Sequence, residues 1–139
     1  RAPERTLPDV GMQIVPDDFF KRNLVIIVLE DAIPKAGTAA LAEGEAVKPG
    51  VGLIHAGYGS DRRYRLSADR GCKALDISDG LAATTCDSLG ASRGGPVFVE
   101  EAGALRLAAV LVGTLRKTEA TLAVPLSEWP GMPLEASCP

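Results

Sequence analysis

The chain has 139 residues, 46% of them apolar, and a formal net charge of −3, so it is expected to form one ordinary folded domain with a real hydrophobic core. That charge argues against nucleic acid as the main partner, and no apolar run reaches the roughly 18 residues of a membrane span. The opening RAPERTLPDV has no apolar core of the kind a signal peptide carries; a chain whose signal had been removed would look the same.

Fifteen glycines and ten prolines punctuate short apolar runs at regular intervals, the pattern of an all-β sandwich or barrel. In chain order, strands are predicted near Gln13–Val15, Leu24–Leu29, Val51–Ala56, Pro96–Val99, Leu105–Val112 and Leu122–Val124. Leu24–Leu29 is apolar at every position, so both of its faces are expected to be buried, and Leu105–Val112 is similarly apolar after its arginine. Ala39–Val47 has helical composition but is interrupted by Gly44, which predicts a loop or single turn. Asp61–Gly80 is polar and charged, with DRR and DISDG turn signals, and is expected to be surface loop. The proline-rich tail SEWPGMPLEASCP is expected to lie against the surface without regular structure. Nothing marks an internal domain boundary or a repeat.

Cys72 and Cys86 flank a 13-residue loop of the kind a disulfide closes for about 3 kcal/mol, which would imply an oxidising compartment; three reduced, buried thiols are the alternative. Zinc does not fit, because there is no CxxC and one histidine cannot complete a usual ligand set. DISDG offers two carboxylates but lacks the further oxygen ligands of a calcium loop, and GYGSDR lacks the third glycine and following helix of a phosphate loop. Both read as turns. No cofactor is called for. His55, alone in the apolar stretch Leu53-Ile54-His55-Ala56, reads as a structural residue.

CDSLGASRGGPVF (86–98) is the stretch richest in possible chemistry. Its GASRG formally matches the G-x-S-x-G nucleophile elbow, but that elbow requires a helix after the serine and a histidine later in the chain. Here Gly-Gly-Pro and a strand-like run follow, and no histidine lies beyond residue 55.

A different resemblance covers nearly the whole chain from residue 12. MQIVPDDF, NLVIIVLEDAIP, PGVGLIHAGYG, CDSLGASRGGPVF, LRLAAVLVG and AVPLSEW fall in that order, and together they resemble the trypsin-like (chymotrypsin-fold) serine peptidases, especially bacterial secreted members. The resemblance implies antiparallel β-barrels of chymotrypsin type. This chain would hold the second barrel plus the end of the first, as a single domain lacking most of the N-terminal barrel. It also implies a secreted or periplasmic location.

In that family a histidine takes the serine's proton, an aspartate orients the histidine, and backbone N–H groups hold the oxyanion. The histidine is expected well before NLVIIVLE, where this chain has none. Asn23 falls at the aspartate position, a change that costs about 10⁴-fold in rate in the family template. Aligned without a gap from Cys86 to Pro96, the nucleophile's position falls on Arg93, which has no nucleophilic oxygen, and the oxyanion loop runs through Gly90 and Ala91. If Arg93 is instead an insertion, Ser92 is the nucleophile. The gapless register, which keeps both the cysteine and the Gly-Gly-Pro in place, is preferred. In it Asp87 sits six residues before Arg93, where trypsin-like members carry the carboxylate that receives an Arg or Lys side chain.

Two functions follow from the resemblance. One is a non-catalytic peptidase homologue acting as a binding or structural module, with a peptide or protein ligand in its cleft. The other is a serine endopeptidase with Ser92 as nucleophile, whose missing half, carrying the histidine, is a second chain or a segment outside this sequence.

Overall fold

A computed structural model describes residues 27, 29–35, 38–87, 93–115 and 117–128. Among the described residues there are seven strands: β1 (Ala40–Leu41), β2 (Gly52–Tyr58), β3 (Leu66–Ser78), β4 (Leu81–Thr84), β5 (Pro96–Glu101), β6 (Ala104–Thr114) and β7 (Thr121–Pro125). A 3₁₀ turn, Leu126–Glu128, follows β7, and among the described residues no helix is long and apolar enough to cross a membrane.

Strands β2 to β7 close on themselves. Around the barrel the order is β2-β3-β4-β7-β6-β5, with β5 pairing back onto β2, and every pairing is antiparallel. The two-residue β1 joins from outside, parallel to β6 through Ala40↔Arg106 and Leu41↔Leu107. The described residues therefore form an all-β structure, a closed six-stranded antiparallel barrel, and closure pairs away much of the sheet edge that would otherwise invite aggregation.

The interior is narrow and its side chains match it. Leu53, Cys72, Ala74, Ala82, Val97, Val99, Ala109, Leu111 and Ala123 form one buried cluster, in which alanines sit between a few larger residues. A six-stranded barrel has too little internal width for a ring of leucines, so small residues fill the layers and a few branched ones the gaps. Alternation puts Val112, Leu122 and Val124 on the opposite face, where they make a second buried cluster with Leu81 and Ala83. This explains why β6 and β7 read as continuously apolar.

Curvature comes from irregular pairings. Register shifts fall between Leu53 and His55 on β2, Ala74 and Asp76 on β3, Val97 and Phe98 on β5, and Leu111 and Gly113 on β6. Each leaves an unmatched residue that increases local twist and bends the ladder, as a small barrel requires. Two hairpins turn through two-residue loops with positive φ at both positions: Asp79 (54°) and Gly80 (75°), then Ala102 (52°) and Gly103 (79°). These are type I′ turns, whose twist suits antiparallel strands.

Four of the predicted strands are present at β2, β5, β6 and β7, each a little longer than expected. Gln13–Val15 lies outside the described residues. Ala39–Val47 holds no helix; it supplies β1 and the buried Val47.

Two expectations are corrected. Asp61–Gly80 is not surface loop throughout: the loop ends at Arg65, and β3 runs for 13 residues from Leu66. Its charges, Asp69, Arg70, Lys73 and Asp76, lie along a strand whose Cys72 and Ala74 point into the barrel. Small inward residues gave too weak an apolar signal to outweigh that polar face. The second correction concerns Leu24–Leu29. Of its described residues, Ile27 is 76% and Leu29 52% exposed, and neither belongs to a strand. The barrel closes without them, so their apolarity is not satisfied inside it. In the tail, Ser127 and Glu128 belong to the 3₁₀ turn, and the remainder lies outside the described residues.

Candidate functional site

The segment from Cys86 to Phe98 reaches the barrel at both ends. At its start, the Cys72–Cys86 disulfide ties the end of β4 to β3 across a Cα–Cα distance of 4.6 Å. The expected pairing is therefore present, and it closes the β3–β4 hairpin. A buried polar network surrounds it. The Cys86 N–H donates to Thr84 Oγ1 at 3.2 Å, the Thr84 hydroxyl bonds that of Thr121, and Thr121 Oγ1 donates to the Cys86 carbonyl at 3.0 Å. Burial without partners would cost these groups about 1–3 kcal/mol each, so the network fixes the backbone of Cys86 firmly.

Asp69 extends the anchor by one residue. Its Oδ1 accepts the Gly71 N–H at 3.0 Å and its Oδ2 accepts the Asp87 N–H at 2.9 Å. At the far end, the Gly94 N–H donates to Leu111 O at 2.8 Å, and the Leu111 N–H donates to Gly95 O at 3.0 Å. Gly94 has φ of 84°, a left-handed conformation that glycine adopts without strain. Arg93 is thus displayed from a short turn held against β6.

Two concavities lie beside this segment, and Gly57 of β2 lines both. The first holds about 310 Å³ and is lined by His55, Gly57, Gly59, Ser67, Ala68, Asp69 and Asp87. Asp87 thus stands at the wall of a pocket beside a second carboxylate, Asp69. His55 is buried, and its Nδ1 lies 3.0 Å from Pro96 O. A carbonyl can only accept, so Nδ1 carries the proton, and the ring links β2 to the start of β5. The second concavity, about 500 Å³, is lined by Ala56, Tyr58, Leu66, Arg93, Pro96 and Phe98, together with the intervening glycines. Arg93 is exposed at its rim.

Of the residues singled out in the sequence, Cys72, Cys86, Asp87 and Arg93 are placed here, with Asp87 and Arg93 lining different concavities. Asn23, Gly90, Ala91 and Ser92 lie outside the described residues, as does Cys138. Asp69 was missed because its stretch read as loop. The available signal was Asp69-Arg70-Gly71, an Asx-type acceptor two residues before a glycine at a register shift. Among the described residues, no group of three or more His, Cys, Asp or Glu side chains could hold a metal ion. No protein-family model matches the chain, and no curated protein does.

Proposed function

We propose that the protein is a trypsin-like serine-peptidase homologue without peptidase activity, acting as a binding module. The observation that carries this reading is Arg93. The position matched to the nucleophile presents a guanidinium at the rim of a groove, and a guanidinium cannot attack a carbonyl. The chain's only histidine, His55, donates from Nδ1 to a backbone carbonyl within the barrel and does not sit where the family's general base is expected. A closed six-stranded antiparallel barrel carrying a disulfide agrees with such a domain, and the disulfide agrees with a secreted or periplasmic location.

Within this reading the smaller pocket receives a basic group. Asp69 and Asp87 give it two carboxylates, and no Lys or Arg lines it among the described residues. A guanidinium or amidinium would meet opposite charge in a planar, bidentate-capable arrangement. Benzamidine titrated into the protein is expected to bind saturably, and Asp87→Asn to weaken that binding.

The activity claim is tested with a fluorophosphonate probe followed by peptide mass spectrometry, alongside an arginyl ester assay. The expected result is no labelling at Ser92 and no ester cleavage. Labelling at Ser92, with hydrolysis, would establish the endopeptidase reading, in which the histidine comes from a second chain or from a segment outside this sequence.

A further inference from the structure

The larger groove and the loop that rises from it carry charge of the opposite sign from the rest of the protein. Tyr58 and Leu66 are cross-strand partners at the end of the β2–β3 hairpin, and both line the groove. They are 54% and 60% exposed, an unusual amount for two large apolar-faced residues side by side. The loop 59–65 leaves directly from this pair and displays Arg62, Arg63, Tyr64 and Arg65, with Tyr64 almost fully exposed. Arg93 stands on the groove's other wall. Arg62 pairs with Asp61 at 3.5 Å in an exposed contact, whereas Arg63, Arg65 and Arg93 have no ion-pair partner among the described residues.

The groove also has a backbone opening. β2 pairs with β5 only at Ile54↔Phe98 and His55↔Val97, then runs on through Ala56–Tyr58. Across the gap stand Arg93, Gly94, Gly95 and Pro96. An extended peptide can lie along such a divergence, its main chain beside β2 and an apolar side chain on Leu66 and Phe98.

We propose that this groove is a docking site for an extended acidic peptide segment, with an apolar anchor in the groove and carboxylates on Arg63, Arg65 and Arg93. Charge complementarity selects this occupant. A protein of net charge −3 repels acidic partners at long range, yet it places Arg93 on the apolar groove and Arg63 and Arg65 on the loop that leaves the groove's Tyr58–Leu66 end, which orients and retains such a partner there. Arginine suits the role because its planar fork pairs with carboxylates bidentately. The inference deepens the binding-module reading and rests on it only for the premise that the domain acts by binding. The groove and its arginines stand whatever Ser92 does.

The test is fluorescence anisotropy at low salt, using a fluorescein-labelled decapeptide of alternating Glu and Leu against its Gln/Leu counterpart. The acidic peptide is expected to bind saturably and at least about tenfold more tightly than the neutral one. Arg93→Glu and the double variant R63E/R65E should each weaken binding by about tenfold or more. Leu66→Ser should weaken binding of both peptides. All these residues are exposed, so melting temperature should hold and folding failure be excluded. Equal affinity for the two peptides, or charge-reversal variants that bind as the wild type does, overturns the proposal. So does tighter binding of a single-stranded oligonucleotide or of anionic phospholipid vesicles than of the acidic peptide. Because this readout involves no probe of Ser92, its failure leaves the activity claim standing, and Ser92 labelling leaves this result standing.

Discussion

The carboxylate of Asp69 on β3 accepts the backbone N–H of Asp87 across 2.9 Å, eighteen positions further along the chain. One side chain thereby sets where the 86–98 segment leaves the barrel, while its other oxygen secures the Gly71 N–H at a register shift in its own strand. Asp69→Ala removes both acceptors. It is expected to cost about 1–3 kcal/mol, since both bonds end on a charged group, and to weaken benzamidine binding through the loss of a pocket carboxylate. Urea denaturation with a parallel benzamidine titration checks both. Unchanged stability would mean that the segment is held by the disulfide and threonine network alone.

The disulfide joins residues 14 apart in sequence. Cross-linking a loop of this size restricts the unfolded chain by an amount worth about 3 kcal/mol. The double variant C72A/C86A, or reduction of the wild type, should lower stability by about that much. A non-reducing digest should yield the Cys72 and Cys86 peptides as one linked species.

Thr84 and Thr121 form a buried hydroxyl pair that also bonds the N–H and the carbonyl of Cys86. Thr121→Val leaves the Cys86 carbonyl and the Thr84 hydroxyl without this partner, at a cost of about 1–3 kcal/mol for each group left unsatisfied. The double variant T84V/T121V should cost less than the sum of the single variants, because the two groups act together. Chemical denaturation of all four proteins measures the coupling.

The two type I′ turns differ in sequence, and the difference predicts a stabilising change. Ala102 adopts φ of 52°, a left-handed conformation that costs an L-residue with a Cβ roughly 1–2 kcal/mol. Ala102→Gly is expected to raise the melting temperature, whereas Gly80→Ala, at φ of 75°, should lower it. Differential scanning calorimetry settles the sign.

The barrel core and the exposed residues outside it separate in the same way. Leu53 is fully buried in the barrel, so Leu53→Ala should cost about 2–5 kcal/mol. Ile27, 76% exposed, should tolerate Ile27→Ser within about 0.5 kcal/mol. A large loss at Ile27 would show that it packs against something in solution.

Much of the architecture was legible because its signals are local. Asp79-Gly80 reads as a turn from its residue types, and β5, β6 and β7 announce themselves as apolar runs. The all-β class and the Cys72–Cys86 pairing followed from spacing and composition. β3 was missed because its inward residues, Cys72 and Ala74, are small and set among charges, so its polar outward face dominated the pattern. Asp69 went with it, since a carboxylate in an assumed loop reads as solvated.

The sequence by itself determined the residue types in the site: an arginine where the resemblance calls for a nucleophile, a single histidine, and two cysteines spaced so that a disulfide between them would clamp a loop. These are covalent facts, and folding cannot alter them. Only the tertiary structure decided that β2 to β7 close into one barrel, because closure depends on pairings between strands distant in sequence. That closure places Asp69 beside Asp87 and His55 against Pro96, and it sets Arg93 across a groove from Tyr58 and Leu66. It also left Ile27 and Leu29 outside. An apolar run declares only that it favours burial; the pairings around it determine whether the barrel supplies that burial.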